Sequence, residues 1–320
     1  METEKLLELL ADGKIHSGEE IGSALSVSRA AVWKRLQKLE ELGIQVESIK
    51  GKGYQIVEGL DLLDEQKIRT ALMGIIENLL LVWSIDSTNK YILDRCNSGE
   101  GHRSLCIAET QSEGRGRRGR VWHSPFACNL YFSIGWQFSG GAKCLEGLSL
   151  AVGVCIARVL KKAGLIDVGL KWPNDVVVQG KKIAGILLEM TGDASGQCQV
   201  VVGIGLNVKM QKLADKIQID QPWTDVSSHS INEPNRTNLL LAAVLEVESM
   251  LQDYEVRGFE YYKEEWEILD ICRNKQIKLS TPAMEVLGYG KGVTSGGEII
   301  IATDDGEHIY NGGEVSLRIV

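Results

Sequence analysis

Apolar residues recur at helical spacing through the first forty-odd positions, and the period then shortens. The run EKLLELLADG reads as a leading helix. Ser17 followed by Glu20 is a capping box that starts a second helix, and Ser28 is a good N-cap for a third. In that third helix Val32, Leu36 and Leu39 recur at core spacing, while Arg29, Lys34, Arg35 and Lys38 fall largely off the stripe. Alternation follows. Ile44, Val46 and Ile49 point toward a core, Lys50-Gly51-Lys52-Gly53 makes a basic turn, and Tyr54, Ile56 and Val57 return as a strand. Three helices followed by a basic hairpin is the winged helix-turn-helix plan. Its second motif helix enters the DNA major groove and its wing touches backbone. Ser28, Arg29, Lys34, Arg35, Lys38, Lys50 and Lys52 are the candidate DNA contacts. The competing reading is a small helical domain with merely solvated lysines. The clustering of positive charge on one helix and at the wing tip argues against it.

After the acidic connection EGLDLLDEQKI, which predicts a short linker rather than a long tether, strands and helices alternate. LLLVWSI reads as a strand, DSTNKYILDRC as a capped helix, and SLCIAET and NLYFSIGW as strands. LEGLSLAVGVCIARVLKKAG is a long helix apolar enough to be buried across a sheet. GLKWPNDVVVQGKKIAGILLEM predicts a hairpin turning near Gly180, and CQVVVGIGLNV a further strand. Helices are expected in TNLLLAAVLEVESMLQDY and YYKEEWEIL. From about Cys272 onward the pattern is short strands separated by glycine turns, which fits a small SH3-like β-barrel. The class is α+β, a mixed sheet with helices packed on it. Domains are expected at 1–62, 63–271 and 272–320.

Composition narrows the function. The chain has 320 residues, 44% hydrophobic and 24% charged, enough for several domains, and its formal net charge of −8 excludes a generic nucleic-acid binder. Any DNA contact must come from a local patch. The seven cysteines form no CxxC pair and are expected to be reduced and mostly buried, and the five isolated histidines offer no zinc site. The acidic N-terminus carries no apolar signal segment, and no run approaches the roughly 18 apolar residues of a membrane span. A soluble, cytoplasmic protein without membrane contact is expected.

Two polar stretches then stand out. EGRGRRGRVW places four arginines and three glycines in Gly114–Arg120, between two predicted strands. Glycines let backbone N–H groups approach an anion, and arginines supply forked donors to phosphate or carboxylate. The GxxxxGK[ST] of a P-loop is absent. On chemistry alone, nucleotide-phosphate handling, a nucleic-acid patch and a solvated loop all remain open. In KWPND a proline interrupts pairing where a carboxylate appears, so Lys171, Asn174, Asp175 and Lys182 flank two consecutive strands. Asp175 suits a magnesium ion or substrate orientation, and Lys182 an anionic oxygen. A solvated turn is the plainer alternative.

Taken in order, DSTN, AETQSEGRGRRGRVWHSP, LKWPNDV, KKIAGILLE and VVGIGLNV resemble the biotin–protein ligases along essentially the whole chain. With the winged helix, the chain resembles the bifunctional ligase and biotin-operon repressor. The resemblance implies a class II synthetase-like ligase domain that joins biotin to ATP with Mg²⁺. The product biotinyl-5′-AMP then passes its biotinyl group to a lysine of biotin carboxyl carrier protein. It implies that Arg115, Gly116 and Arg117 belong to the ligand loop, with Arg118 and Arg120 at its ends or in a dimer contact. Ser87, Thr88, Asn89 and Gln111 would surround the biotin ureido ring. Lys182 would meet the biotin carboxylate, and Asp175 would lie near metal and nucleophile, making Lys182, Asp175 and Arg117 the catalytic set. Trp122, Asn207, Trp223 and Arg318 would serve the adenylate, Trp223 as the lid of a second loop in MQKLADKIQIDQPW. Arg318 is equally readable as part of a structural cap. Biotinyl-AMP would act as co-repressor, pairing two chains edge to edge as a homodimer on operator DNA. A ligase without repression, and a lipoate-type ligase on the same fold, are the alternatives.

Overall fold

The computed structural model describes residues 2–192, 196–211, 218–281, 284–313 and 315–320. Three helices come first: α1 (Glu2–Leu10), α2 (Gly18–Ala24) and α3 (Arg29–Glu41). The Ser17–Glu20 capping box is present in both directions, and the Ser28 hydroxyl accepts from Ala31 N. Leu6, Leu7, Leu10, Ile21, Val32, Leu36, Leu39, Ile44 and Ile56 bury together as one core. Strands β1 (Glu47–Ile49) and β2 (Gly53–Gln55) form the antiparallel wing, with Lys50 and Lys52 exposed at its tip. The returning strand is shorter than its alternation suggests. It ends at Gln55, leaving Val57 54% exposed.

The linker is short, as expected, and it is bolted down. Arg236, fully buried, pairs with Glu109 at 2.7 Å and donates to the carbonyls of Asp61 and Asn129. Glu109 in turn accepts from Leu63 N at 2.8 Å, and Lys209 holds the Asp61 carboxylate at 2.8 Å. A buried charge is tolerated only when its donors and acceptors are satisfied, and this one is satisfied by the linker itself. Phe126 and Ala127 join the N-terminal core, and Trp83 stacks on Phe126.

Next come α4 (Glu65–Ala71), β3 (Asn78–Ile85), α5 (Thr88–Asn97), β4 (Ser104–Gln111), β5 (Leu130–Phe138), α6 (Leu148–Lys162), β6 (Val168–Lys171), β7 (Asp175–Val178), β8 (Lys181–Gly192), β9 (Cys198–Leu206), α7 (Arg236–Arg257) and α8 (Glu260–Leu269). The seven strands form one mixed sheet in the order β3-β4-β5-β9-β8-β7-β6, parallel only between β3 and β4. The apolar helix α6 lies across one face with α7 and α8 packed against it, and α5 covers the other. Where one hairpin was expected at GLKWPNDVVVQGKKIAGILLEM there are two. KWPND is itself a tight turn, with Lys171 opposite Asp175 and a cis Trp172–Pro173 bond, and the second turn is at Gly180. The proline that halts pairing thus reverses the chain rather than merely ending a strand.

The C-terminal strands β10 (Gln276–Ser280), β11 (Glu285–Val293), β12 (Ile299–Thr303), β13 (Gly306–Tyr310) and β14 (Ser316–Ile319) make a five-stranded antiparallel sheet in the order β13-β12-β11-β10-β14. This is the small β unit expected. It docks on the KWPND turn, where the buried Trp172 donates to Gly297 O at 3.0 Å. Among the described residues no helix is long and apolar enough to cross a membrane.

Candidate active site

A cavity of about 850 Å³ opens on the α5 face of the large sheet, within the range of small-molecule sites. Its walls come from the start of α5, the 114–122 loop, the KWPND turn, β8, β9 and the edge of the C-terminal sheet. Ser87, Thr88, Asn89, Gln111, Arg115, Gly116, Arg117, Trp122, Asp175, Lys182 and Arg318 all line it.

At one end, polar side chains hold one another in place. Ser87 caps α5, so Thr88 and Asn89 start the helix facing the sheet. The Gln111 carbonyl oxygen accepts from Thr88 N at 2.8 Å, and its amide donates to Ser124 Oγ at 3.2 Å. Ser133 Oγ lies 2.6 Å from Asn89 Oδ1 and 2.8 Å from Thr88 Oγ1. Asn89 Nδ2 donates to Glu189 Oε2 at 2.8 Å and to Leu187 O at 3.3 Å. Ser133, Gly203 and Leu187 sit side by side on β5, β9 and β8. Gly203 is glycine for a steric reason, since a Cβ there would lie 1.9 Å from Asn89 Oδ1. Ser133, Ser124 and Glu189 were missed by the sequence reading. Ser133 had a signal, as a lone hydroxyl inside the apolar strand LYFSIGW.

In the middle, Lys182 Nζ pairs with Asp175 at 2.7 Å, both side chains 16% exposed, and lies 5.3 Å from the centroid of a Trp122 ring. Trp122 lies against Gly205 and Gly185, where added Cβ atoms would come within 2.3 and 2.9 Å of the indole. The indole N–H is buried with no hydrogen-bond partner among the described residues. A buried donor left so is costly, and a ligand acceptor would satisfy it.

Lys171, Lys275, Arg118, Arg120 and Arg318 line the cavity with Arg117 and make part of its wall cationic. The loop is held by its own backbone: Trp122 N donates to Gly114 O at 2.8 Å and Gly116 N to Arg120 O at 2.7 Å. Its tip is a short turn over Arg117–Gly119, with Arg118 and Gly119 at positive φ. Arg117 reaches across the cavity, donating to Asn174 Oδ1 at 3.3 Å and to the carbonyls of Gly312 and Gly313. Burial lowers its pKa from the ordinary arginine value, with nearby Asp175 opposing. Arg115 is exposed, with Glu189 4.0 Å away.

Two expected residues stand off the cavity wall. Asn207 is buried and donates to Thr224 O at 3.1 Å, and Trp223 adjoins Lys182 through a backbone bridge. Of the second expected loop, residues 212–217 lie outside the described residues. On the N-terminal domain, Arg29, Lys34, Lys38, Lys50 and Lys52 are exposed and Arg35 is half-buried, while Ser28 is occupied as the cap of α3. The thiols of Cys96, Cys106, Cys155 and Cys272 are buried, which pushes them up to about 11, 12, 12 and 12.

Known proteins resemble this chain in sequence and in fold. A model of the biotin/lipoate A/B protein ligase family matches residues 81–207, and an HTH domain model matches residues 2–55. The bifunctional ligase/repressor BirA of Escherichia coli (strain K12) is 40% identical over 317 residues, 98% of this chain and 96% of that protein. Its namesake in Bacillus spizizenii is 30% identical over 313 residues, 96% of each chain. Among solved structures, a biotin protein ligase from Aquifex aeolicus in complex with biotin and ATP superposes with a TM-score of 0.66 at 27% identity. It covers 77% of this chain and 100% of its own.

Proposed function

The chain belongs to the family of bifunctional ligase/repressors, biotin–protein ligases that carry an HTH domain, and from that premise we propose how its residues divide the work. The biotin ureido ring takes the end of the cavity built from Thr88, Asn89 and Gln111, with Ser133 and Glu189 orienting them. ATP lies toward the cationic end. The observation that carries this reading is the Lys182–Asp175 pair at 2.7 Å, in a cavity lined both by the hydrogen-bonded Thr88, Asn89 and Gln111 and by several arginines and lysines.

That order suits the reaction. A biotin carboxylate oxygen attacks the α-phosphorus of ATP, a new O–P bond forms, the α–β anhydride bond breaks and pyrophosphate leaves. Two anions must approach, and fixed cations lower that barrier. Lys182 neutralises the carboxylate, and Asp175 keeps the ammonium aimed at it. Arg117 and Arg118 close from the loop side, Lys275 and Arg318 from the C-terminal sheet. The acceptor's lysine amine then attacks the acyl carbon, AMP leaves and the amine proton passes to solvent. Trp122 shields the acyl phosphate from water in the interval.

Mg²⁺ suits this site. One carboxylate completed by phosphate oxygens and water is an ordinary donor set for it, and Asp175 is such a carboxylate. No cluster of three candidate ligands exists among the described residues. Bound there, Mg²⁺ would supply charge neutralisation at the phosphates.

The reading extends to partners: biotin carboxyl carrier protein as acceptor, and a ligand-induced homodimer on operator DNA. It assigns residues 1–62 to DNA, 63–271 to the chemistry and 272–320 to closing the phosphate end. Pyrophosphate exchange into ATP, run with biotin and separately with lipoate, tests the chemistry. Exchange with biotin alone is expected. Exchange with lipoate alone would replace the substrate assignment.

A further inference from the structure

The residues of α3 that stay out of the core form an ordered outer face. Ala30, Trp33, Lys34 and Gln37 are all exposed, at spacings of three and four that place them on one side of the helix. Val32, Leu36 and Leu39 hold the other side in the core. Trp33 is 54% exposed, whereas the chain's six other tryptophans are buried or half-buried. One exposed apolar side chain identifies nothing by itself; its surroundings do. Arg29, Lys34 and Lys38 are exposed on the same helix, and Lys50 and Lys52 are exposed on the wing. The first turn of α3 contains no acidic residue, so the positive end of its dipole is unopposed. This charge fits a polyanion. The shape is a single projecting helix of 13 residues, and the major groove of B-form DNA admits one.

Resting on the DNA-binding reading above, we propose that Trp33 is a base-reading residue whose indole packs on a thymine methyl group in the major groove. The methyl is the one apolar group that a base pair presents there, and the indole is the one large apolar group that α3 offers. Gln37 follows one turn on, where its carboxamide suits the N6/N7 edge of an adenine. The lysines and arginines around them fix the helix on the backbone without reading sequence. Trp33 is therefore a determinant of operator sequence, separate from the charge that supplies affinity.

The test begins with selection from duplexes carrying a randomised core, using the full chain with biotin and MgATP. Each thymine of the selected site is then replaced by deoxyuridine, which deletes only the methyl, and affinity is compared at fixed salt. At one thymine per half-site, binding should weaken about four-fold, the worth of one buried methyl. Trp33→Gln, its fold checked by thermal melting, should abolish that sensitivity at the same position. Lys52→Ala should instead weaken every duplex alike and flatten the salt dependence. Indifference of the wild-type chain to every methyl, or sensitivity unchanged in Trp33→Gln, overturns the proposal while leaving DNA binding standing. A selection that enriches no sequence rejects the DNA-binding reading itself, and the assignment of Trp33 with it.

Discussion

Gly203→Ala isolates the proposed biotin niche from the rest of the cavity. Gly203 lies in the middle of β9, between Ser133 and Leu187, in ordinary strand conformation, so alanine is tolerated by the backbone. Its Cβ is not tolerated by the neighbour, since it would lie 1.9 Å from Asn89 Oδ1, 2.6 Å from Cγ and 2.9 Å from Nδ2. The carboxamide must swing away, giving up its contacts with Ser133, Leu187 and Glu189. Two ordinary hydrogen bonds and one to a carboxylate are together worth roughly 3–5 kcal/mol. If about half of that organises the ligand, biotin affinity falls on the order of 10- to 70-fold. ATP binding should hardly change, because Lys182, Trp122 and the cationic end are untouched. Calorimetric titration with each ligand separately checks both statements. An alanine variant that binds biotin as the wild type does would refute the placement of the ureido ring against Asn89. Equal losses for biotin and ATP would show general damage instead.

Three further outcomes are expected. Arg236→Met leaves the Glu109 carboxylate buried without its cation, so urea unfolding should show a loss of about 3–5 kcal/mol; a loss below about 1 kcal/mol would mean that the linker is not bolted through this pair. Burial pushes the Asp270 carboxyl from 3.8 up to about 6 despite the bond from Cys272 N. Between those values the folded chain holds the extra proton, so this group's contribution to stability falls as pH rises and levels off above about 6. Wild-type stability relative to Asp270→Asn should therefore drop by up to about 3 kcal/mol between pH 4 and pH 7, and a constant difference would contradict it. Finally, Cys106, Cys155 and Cys272, their thiols pushed up to about 12, should resist iodoacetamide at neutral pH until the chain is unfolded.

Much of the architecture was legible because hydrophobic period and cap chemistry agree locally. Ser17, Glu20 and Ser28 announced two helix starts that the structure contains, and the apolar run at 148–162 could only be a buried helix. The second hairpin was not legible. A four-residue strand next to a proline looks like the end of a strand, and only its pairing with β7 reveals a turn. The site was readable in the residues that point into the cavity and unreadable in those that hold them. Ser133 is 44 residues from Asn89 and Glu189 is 100 residues away, and no local spacing joins them. The bolted linker is similar, since Arg236 reads as a helix-start cation until Asp61 and Glu109 surround it. Nor does the sequence say that Arg117, expected to meet an anion, donates to Gly312 and Gly313.

The central claim is that one ligand, made in the cavity, licenses DNA binding by the N-terminal domain. Sedimentation of the purified chain with and without biotin and MgATP, followed by binding of a biotin-operon promoter fragment in the same samples, tests it directly. The account predicts that dimer and DNA complex appear together and only with both substrates present. Labelled biotinyl-AMP formed by a chain that stays monomeric and leaves the fragment unbound would contradict it, keeping the ligase and removing the switch.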